Sequence, residues 1–283
     1  MTGFSAQWLA LREPADHRAR DISLQSLVIH DLERLARMRA GSLKLVDLGS
    51  GSGSNLRALA PLLPEHQHWT LVDYDPALLE AARAACMEWA DQVVARDTSL
   101  KLIKNNKHIT ISFRCEDLSS NIEVVLAEPS DLITAAAFFD LVAVDWLERF
   151  CGLLATPLYT VLTYNGIENW TPPEPSDAAM LKAFHAHQQT DKGFGAAAGP
   201  TAAGVMESLL HARGFIVSSA SSPWKLDAKD HGLIEQLATG SAGAVRDTGL
   251  VTQEAVEAWQ QSRRQALTCE IGHTDLYARP RQF

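Results

Sequence analysis

The chain has 283 residues, 46% of them hydrophobic and 21% charged, which excludes disorder over most of its length and favours one large α/β domain or a domain with a modest cap. Acidic residues outnumber basic ones, 34 to 25, for a formal net charge of -9, so the chain as a whole repels a phosphate backbone and no nucleic-acid partner is expected. No apolar run approaches a bilayer span, the first thirty residues lack an apolar h-region, and Cys86, Cys115, Cys151 and Cys269 form no CxxC pair, so the expectation is a cytoplasmic protein with reduced thiols, no metal site and no membrane partner.

Residues 4–40 read as helical. Apolar stripes run through Trp8, Leu9 and Leu11, then through Leu24, Leu27, Val28, Leu32 and Leu35, and Pro14 marks a break between two helices. Leu43–Leu48 is a short apolar run ending in Gly49, as in a buried parallel strand. A helix follows from about Ser54 to Leu63, stopped by Pro64. Trp69–Asp73 reads as a second strand. Asp75 and Pro76 then cap and begin a helix over Ala77–Ala95. Ile109–Arg114 alternates like a third strand, Asp131–Ala135 forms a fourth, a helix lies around Leu141–Leu154, and Leu158–Thr163 is a fifth strand. This alternation implies a doubly wound parallel sheet. Asn165–Pro175, with Asn165-Gly166 and three prolines, reads as a loop or short hairpin. Helices over Asp177–Thr190 and Thr201–Arg213, a strand at Phe215–Ser219, helices near Lys229–Ala238 and Thr252–Leu267, and a last strand at Glu270–Ala278 complete the chain.

The sharpest feature is Val46-Asp47-Leu48-Gly49-Ser50-Gly51-Ser52-Gly53-Ser54-Asn55, at the first strand-to-helix turn. Ligands of open α/β sheets bind beyond the carboxyl ends of the strands. Glycines let the backbone approach a ligand, and the helix start presents free N–H groups. A dinucleotide fingerprint needs a third glycine where Ser54 stands, and no Gly-Lys-Ser/Thr follows for a triphosphate loop. About twenty residues on, Asp73 ends the second strand, where an acid can accept both ribose hydroxyls.

The run Val46–Asn55, the strand ending Asp73-Tyr74-Asp75-Pro76, Cys115-Glu116-Asp117-Leu118 and Asp131–Phe138 resemble the successive motifs of class I S-adenosylmethionine-dependent methyltransferases, over roughly residues 43–163. The resemblance implies S-adenosyl-L-methionine as cofactor. It also implies a doubly wound, mostly parallel seven-stranded Rossmann-like sheet with an antiparallel last strand and helical cap insertions. By it, Gly49, Ser50 and Gly51 face the methionine moiety, in one loop with Gly53 and Asn55. Asp47 holds the amino end, Asp73 binds the ribose and Tyr74 flanks the adenine. Asp117 accepts from the adenine amino group, Leu118 donates its backbone N–H, and Thr134 and Ala135 lie at the methionine end of the fourth strand. The alternative to the adenine contact is that Asp117 forms an Asx turn after the third strand.

The same resemblance places the acceptor site on the N-terminal helices and on insertions after the fourth and fifth strands. The expected division is an N-terminal helical cap over residues 1–40 and a methyltransferase domain over 41–283, with a substrate-cap insertion at about 164–200. Candidate substrate-binding residues are Arg12, which could also reach the cofactor carboxylate, Phe138 in an apolar wall, and Tyr164, Trp170, His187 and Lys192. His185 and His187 lie about 200° apart on a helix and cannot readily share a metal. Strict alternation puts Ile271, His273, Asp275 and Tyr277 on one face of the last strand; His273 either completes an internal network or reaches the pocket as a base. His185 and His273 are the candidate catalytic bases. The two helices before the last strand build a lid, a dimer surface or extra core.

Methyl transfer is an in-line displacement that needs proximity and water exclusion more than a metal or covalent nucleophile. The leading expectation is transfer to an oxygen or nitrogen of a small-molecule metabolite. The alternatives are a nicotinamide-dependent oxidoreductase, disfavoured by Ser54 and the missing Tyr-x-x-x-Lys, and a non-catalytic cofactor-binding module. A homodimer is left open.

Overall fold

The computed structural model describes residues 4–39, 41–96 and 98–283; residues 1–3 and 40 of the expected N-terminal cap lie outside these. Two helices open the chain, α1 (Ala6–Ala19) and α2 (Ile22–Met38). The expected break at Pro14 does not occur, and α1 runs through it. A proline forfeits one backbone bond of the preceding turn. Here the Arg12–Asp16 fork, at 2.9 and 3.1 Å, braces the helix across that position. The break falls instead at Arg20 and Asp21, the C-cap of α1 and the N-cap of α2. Asp21 Oδ1 accepts the Leu24 amide at 2.7 Å, a side-chain cap for a free helix-end donor.

The glycine-loop half follows in order: β1 (Leu43–Leu48), α3 (Ser54–Leu59), β2 (His66–Asp73), α4 (Pro76–Trp89), β3 (Gln92–Arg96), β4 (Leu100–Lys104), β5 (Lys107–Cys115), α5 (Leu118–Leu126), β6 (Leu132–Ala136), α6 (Val144–Leu153) and β7 (Leu158–Thr171). The remainder is α7 (Asp177–Gln188), α8 (Ala202–Ala212), β8 (Ile216–Ser221), β9 (Trp224–Leu226), α9 (His231–Thr248), α10 (Gln253–Arg263) and β10 (Thr268–Arg279). The strands make one ten-stranded sheet in the order β3-β4-β5-β2-β1-β6-β7-β10-β8, with β9 on β10. The run β5-β2-β1-β6-β7 is parallel. It has the third-second-first-fourth-fifth order of a doubly wound sheet, whose ligand crevice opens where the order reverses, between β1 and β6. β10 is antiparallel to both its neighbours, β7 and β8. These seven strands match the expected mostly parallel sheet with an antiparallel last strand.

The three further strands were not expected. The helix read as far as Ala95 stops at Trp89, and Gln92–Arg96 pairs antiparallel with β4, which in turn extends β5. Most of the segment read as a loop or short hairpin, Asn165–Pro175, is the continuation of one strand. β7 runs on to Thr171 because β10 stays alongside it, with Cys269 opposite Trp170.

Alternation along the strands builds two apolar layers. Leu45, Trp69, Leu71, Tyr159 and Tyr277 face α2, α3 and α4, while Val46, Leu48, Val72, Ile133 and Leu158 face α5, α6 and α8. Burying each such side chain contributes roughly 1.5–3 kcal/mol. The two late helices thicken the first layer: Leu233, Ile234, Ala238, Val245, Val256 and Trp259 are buried there. They are extra core on their inner faces. Arg263 of α10 is fully buried and forks onto Asp177 at 2.9 Å twice, with a third bond to the Pro172 carbonyl at 2.6 Å. Among the described residues no helix is long and apolar enough to cross a membrane.

Candidate active site

The turn after β1 takes left-handed backbone at Gly49 (φ 61°) and Gly51 (φ 51°), which side chains with a Cβ rarely adopt. It is closed by the Ser50 amide on the Val72 carbonyl at 3.0 Å and the Gly53 amide on the Ser50 carbonyl at 2.9 Å. Gly53 then serves as N-cap of α3 without a side-chain bond. Asp73, at the end of β2, accepts the Gly51 amide at 2.8 Å and the Asp75 amide at 3.0 Å. Burial raises its carboxyl above the usual range, and those two amides oppose the rise. Tyr74 beside it is exposed.

Where the strand order reverses, Asp47 of β1 stands opposite Thr134 of β6. Asp47 Oδ1 accepts from Thr134 Oγ1 at 2.7 Å and from Asn55 Nδ2 at 2.6 Å. Burial pushes the Asp47 carboxyl up to about 6, against these bonds and the Arg20 charge. Ala135, the next residue of β6, is buried opposite Leu48. Arg20 is itself buried at the α1–α2 junction, with its charge acting on Asp47, Tyr159 and Asp275. Among the described residues, Arg20 Nε and Nη1, Asp47 Oδ2, Asn55 Oδ1 and the Ser50 and Ser52 hydroxyls are buried without a hydrogen-bond partner. Buried polar atoms are almost always paired, so such a concentration marks a place for a ligand or ordered water.

α1 is fastened over this loop. His17 Nε2 meets Ser54 Oγ at 3.0 Å, and Arg57 of α3 pairs with Glu13. A methyl group on Gly51 would come within 2.9 Å of Leu9 Cδ1. Phe138, just past β6, is buried and covers the loop from the other side.

A second cluster lies past the end of β6, on the middle of β7 and β10, where Tyr164 stands opposite His273. Tyr164 Oη is 3.0 Å from His185 Nε2, and its ring centroid lies 6.1 Å from Phe184 and 6.4 Å from His273. The Trp224 ring is 5.1 Å from His273 and 4.9 Å from the Arg12 guanidinium. Arg12 is satisfied by Asp16, which also accepts Trp224 Nε1 at 3.0 Å. Arg12 therefore belongs to this cluster, its charge reaching both His273 and Asp140. Asp140, in the 3-10 turn Phe139–Leu141, is buried; its Oδ2 takes a long bond of 3.4 Å from Gln188 Nε2. Burial pushes its carboxyl up to about 6, opposed by backbone amides, the Arg12 charge and Gln188. Burial, and then the Arg12 charge, hold His273 down to about 3, and burial lowers His185. Asp140 Oδ1, Gln188 Oε1 and His273 Nδ1 have no partner among the described residues.

The structure thus gathers Asp47, Gly49, Ser50, Gly51, Gly53, Asn55, Asp73, Thr134 and Phe138 around the loop, and Arg12, Tyr164, His185 and His273 in the second cluster. Asp117 is exposed and caps α5, accepting the Ser119 amide at 2.9 Å and the Ser120 hydroxyl at 3.2 Å. Leu118 is buried, its carbonyl taking Trp146 Nε1 at 2.9 Å. Trp170 lies apart, edge-on to Trp259 at 5.6 Å. His187 and Lys192 sit together near Asp247, with Lys192 Nζ 3.4 Å from His187 Nδ1. Arg20, Asp140 and Gln188 were missed by the sequence reading. Asp140 had one signal: it is the only charge in the apolar stretch 132–144. Arg20 and Gln188 had none, because their surroundings come from segments distant in the chain.

No protein-family model matches the chain, and no curated protein does. Similar solved structures include an S-adenosylmethionine-dependent methyltransferase from Geobacter sulfurreducens in complex with S-adenosyl-L-homocysteine, at 14% identity and TM-score 0.47, covering 99% of this chain and 100% of that one. A magnesium protoporphyrin IX methyltransferase from Synechocystis with bound SAH is 14% identical with TM-score 0.43, over 91% and 82% of the two chains. A cyclopropane synthase from Mycobacterium tuberculosis is 13% identical with TM-score 0.47, over 97% and 94%. The order of the strands, rather than these distant likenesses, establishes the fold. It is the doubly wound, Rossmann-like fold implied by the resemblance to class I S-adenosylmethionine-dependent methyltransferases.

Proposed function

We propose that this chain is an S-adenosylmethionine-dependent methyltransferase that delivers a methyl group to an oxygen or nitrogen of a small molecule. One observation carries the reading: Asp47 Oδ2, buried without a partner where the strand order reverses, lies in the field of Arg20, whose Nε and Nη1 are likewise buried without a partner among the described residues. A guanidinium beside a carboxylate complements the two ends of an amino acid, carboxylate to Arg20 and ammonium to Asp47. Asp73 supports the ribose assignment. Each of its oxygens already accepts one amide, and a carboxylate oxygen has a second lone pair for a hydroxyl. Asp117 and Leu118 are assigned to the adenine by their place after β5.

The bound cofactor supplies a methyl group activated by its sulfonium. The chain has to hold the two reactants in line and keep water out. Leu9 and Phe138 do the second task at the loop, and the mostly buried rings of Tyr164 and His273 suit an enclosed acceptor rather than a macromolecular one. Burial opposes the charge of both histidines, and holding His273 down to about 3 makes it the poorer base, so His185 is the better placed to take a proton from the acceptor.

Calorimetric titration with S-adenosylmethionine and with S-adenosylhomocysteine tests the proposal. Both should bind, and Asp73→Ala should weaken both by about tenfold or more. No binding would remove the cofactor assignment; unchanged affinity in the variant would remove the ribose assignment alone.

A further inference from the structure

Asp140 and Gln188 carry the two unpartnered acceptor oxygens of the second cluster, and they come from different elements. Asp140 follows Phe138 by two residues, and Phe138 covers the cofactor loop at Gly49. Asp140 is thus two residues beyond the ring that covers the loop, and its charge acts on Tyr164 of the second cluster.

The charges around it do not balance. Arg12 is the cation whose field reaches Asp140. Its guanidinium is already committed to a fork with Asp16 and lies over the Trp224 ring. His185 is tied to the Tyr164 hydroxyl, and both His185 and His273 are held neutral by burial. Counting Arg12, Asp16 and Asp140 leaves one uncompensated negative charge. An isolated buried carboxylate costs several kcal/mol unless something pairs with it. The backbone amides of Asp140 and Tyr164 offset part of that cost, and the one side-chain donor among the described residues, Gln188 Nε2, sits at the long end of hydrogen-bond range.

We infer that Asp140, with Gln188 Oε1 beside it, is the recognition end of the acceptor pocket and takes a protonated amine. This deepens the methyltransferase reading and rests on it for the identity of the neighbouring ligand. Two acceptor oxygens with free lone pairs match the several N–H donors of an ammonium group. They offer nothing to a carboxylate or phosphate. Tyr164, whose hydroxyl feels the Asp140 charge, stands edge-on to His273 in the same cluster, so the substrate class is a small amine with an apolar or aromatic body.

The probe pair is benzylamine, protonated near neutral pH, and benzyl alcohol, its uncharged counterpart. Each is titrated by calorimetry into the full-length protein saturated with S-adenosylhomocysteine. The expected result is a preference for the amine of about tenfold or more, falling to within about twofold in Asp140→Asn. Absence of the preference in the wild type, or its survival in Asp140→Asn, overturns the inference. So does a loss in Asp140→Asn of S-adenosylmethionine affinity with S-adenosylhomocysteine affinity intact, which would show the carboxylate serving the sulfonium instead. If S-adenosylhomocysteine does not bind the wild type at all, the methyltransferase reading fails on its own. The same probe pair on the free protein then decides the amine site. Circular dichroism checks folding, and if Asp140→Asn does not fold, Gln188→Met takes its place. That variant should lower the preference at least severalfold, and an unaltered preference overturns the inference.

Discussion

Phe138 closes down on Gly49 so tightly that a methyl group built on the glycine would stand 2.7 Å from the ring Cδ2. Gly49 also has φ 61°, so an alanine there meets two separate obstacles, the ring and the backbone. Gly49→Ala should destabilise the fold by about 2 kcal/mol or more, since the left-handed backbone alone costs on the order of 1–3 kcal/mol. Adding Phe138→Leu should recover only the steric part. A double-mutant cycle by denaturant unfolding measures the recovered share. Strict additivity would mean that the ring and the glycine are not coupled.

Arg20 lends itself to a comparison of two ligands. S-adenosylhomocysteine has the amino-acid end that Arg20 is assigned to hold, and 5'-methylthioadenosine lacks it. The wild type should favour the former, and Arg20→Met should erase most of that advantage, lowering S-adenosylhomocysteine affinity by about tenfold or more with little effect on 5'-methylthioadenosine. Equal losses for both ligands would count against the carboxylate contact.

Asp47 carries a pH dependence with a definite sign. Burial raises its carboxyl from the usual 3.8 to about 6, so the folded chain prefers it protonated. That contribution to stability is complete below the unfolded value and is lost as pH rises through about 6. In the ligand-free protein, Asp47→Asn should therefore be more stable than the wild type at about pH 8, by up to about 3 kcal/mol, and the gap should close below about pH 4. The same variant should bind S-adenosylmethionine more weakly. Thermal unfolding across pH, paired with calorimetry, checks both halves; a gap that widened towards acid would refute the sign.

Arg263 is fully buried and forks onto Asp177, far along the sheet from the glycine loop. Removing one partner of such a pair leaves the other uncompensated, at a cost of about 3 kcal/mol. Arg263→Met should lower the unfolding free energy by that order while the folded fraction retains S-adenosylhomocysteine affinity. A loss under about 1 kcal/mol in urea unfolding would show that water compensates Asp177 adequately.

What could be read from the sequence was what local stereochemistry enforces. Gly49 and Gly51 are demanded by a tight turn, and Asp73 lies at the end of the strand that turn abuts, so loop and acid were legible together. The parallel strands were legible as apolar runs. The hairpin of Gln92–Arg96 and Leu100–Lys104 was not. Its first strand starts three residues after α4 ends, with no glycine or proline between, so the helical pattern seemed to continue. Pro14 misled in the opposite direction, because its usual effect is offset by an ion pair that only the folded helix forms. Arg20 and Asp140 acquire their meaning from neighbours that the sheet order delivers: Arg20 from Asp47 and Tyr159, Asp140 from Gln188 and Tyr164. Sequence spacing carries no trace of such meetings.

Asp275 has a consequence for anyone who cuts this chain. Its carboxylate accepts the Asp21 amide at 3.0 Å, the Leu162 amide at 2.9 Å and the Ser222 hydroxyl at 2.5 Å. One side chain near the carboxyl end thus knots together the start of α2, the middle of β7 and the turn before β9. A fragment ending before β10 would lose the knot along with the strand, and the junction carrying Arg20 would come adrift although every residue of the glycine loop remained. Deletions meant to isolate the glycine-loop half should therefore spare the last strand, and a split in the exposed 105–106 turn keeps Leu162 and Ser222 with Asp275 but leaves the Asp21 bond to be remade when the halves reassociate.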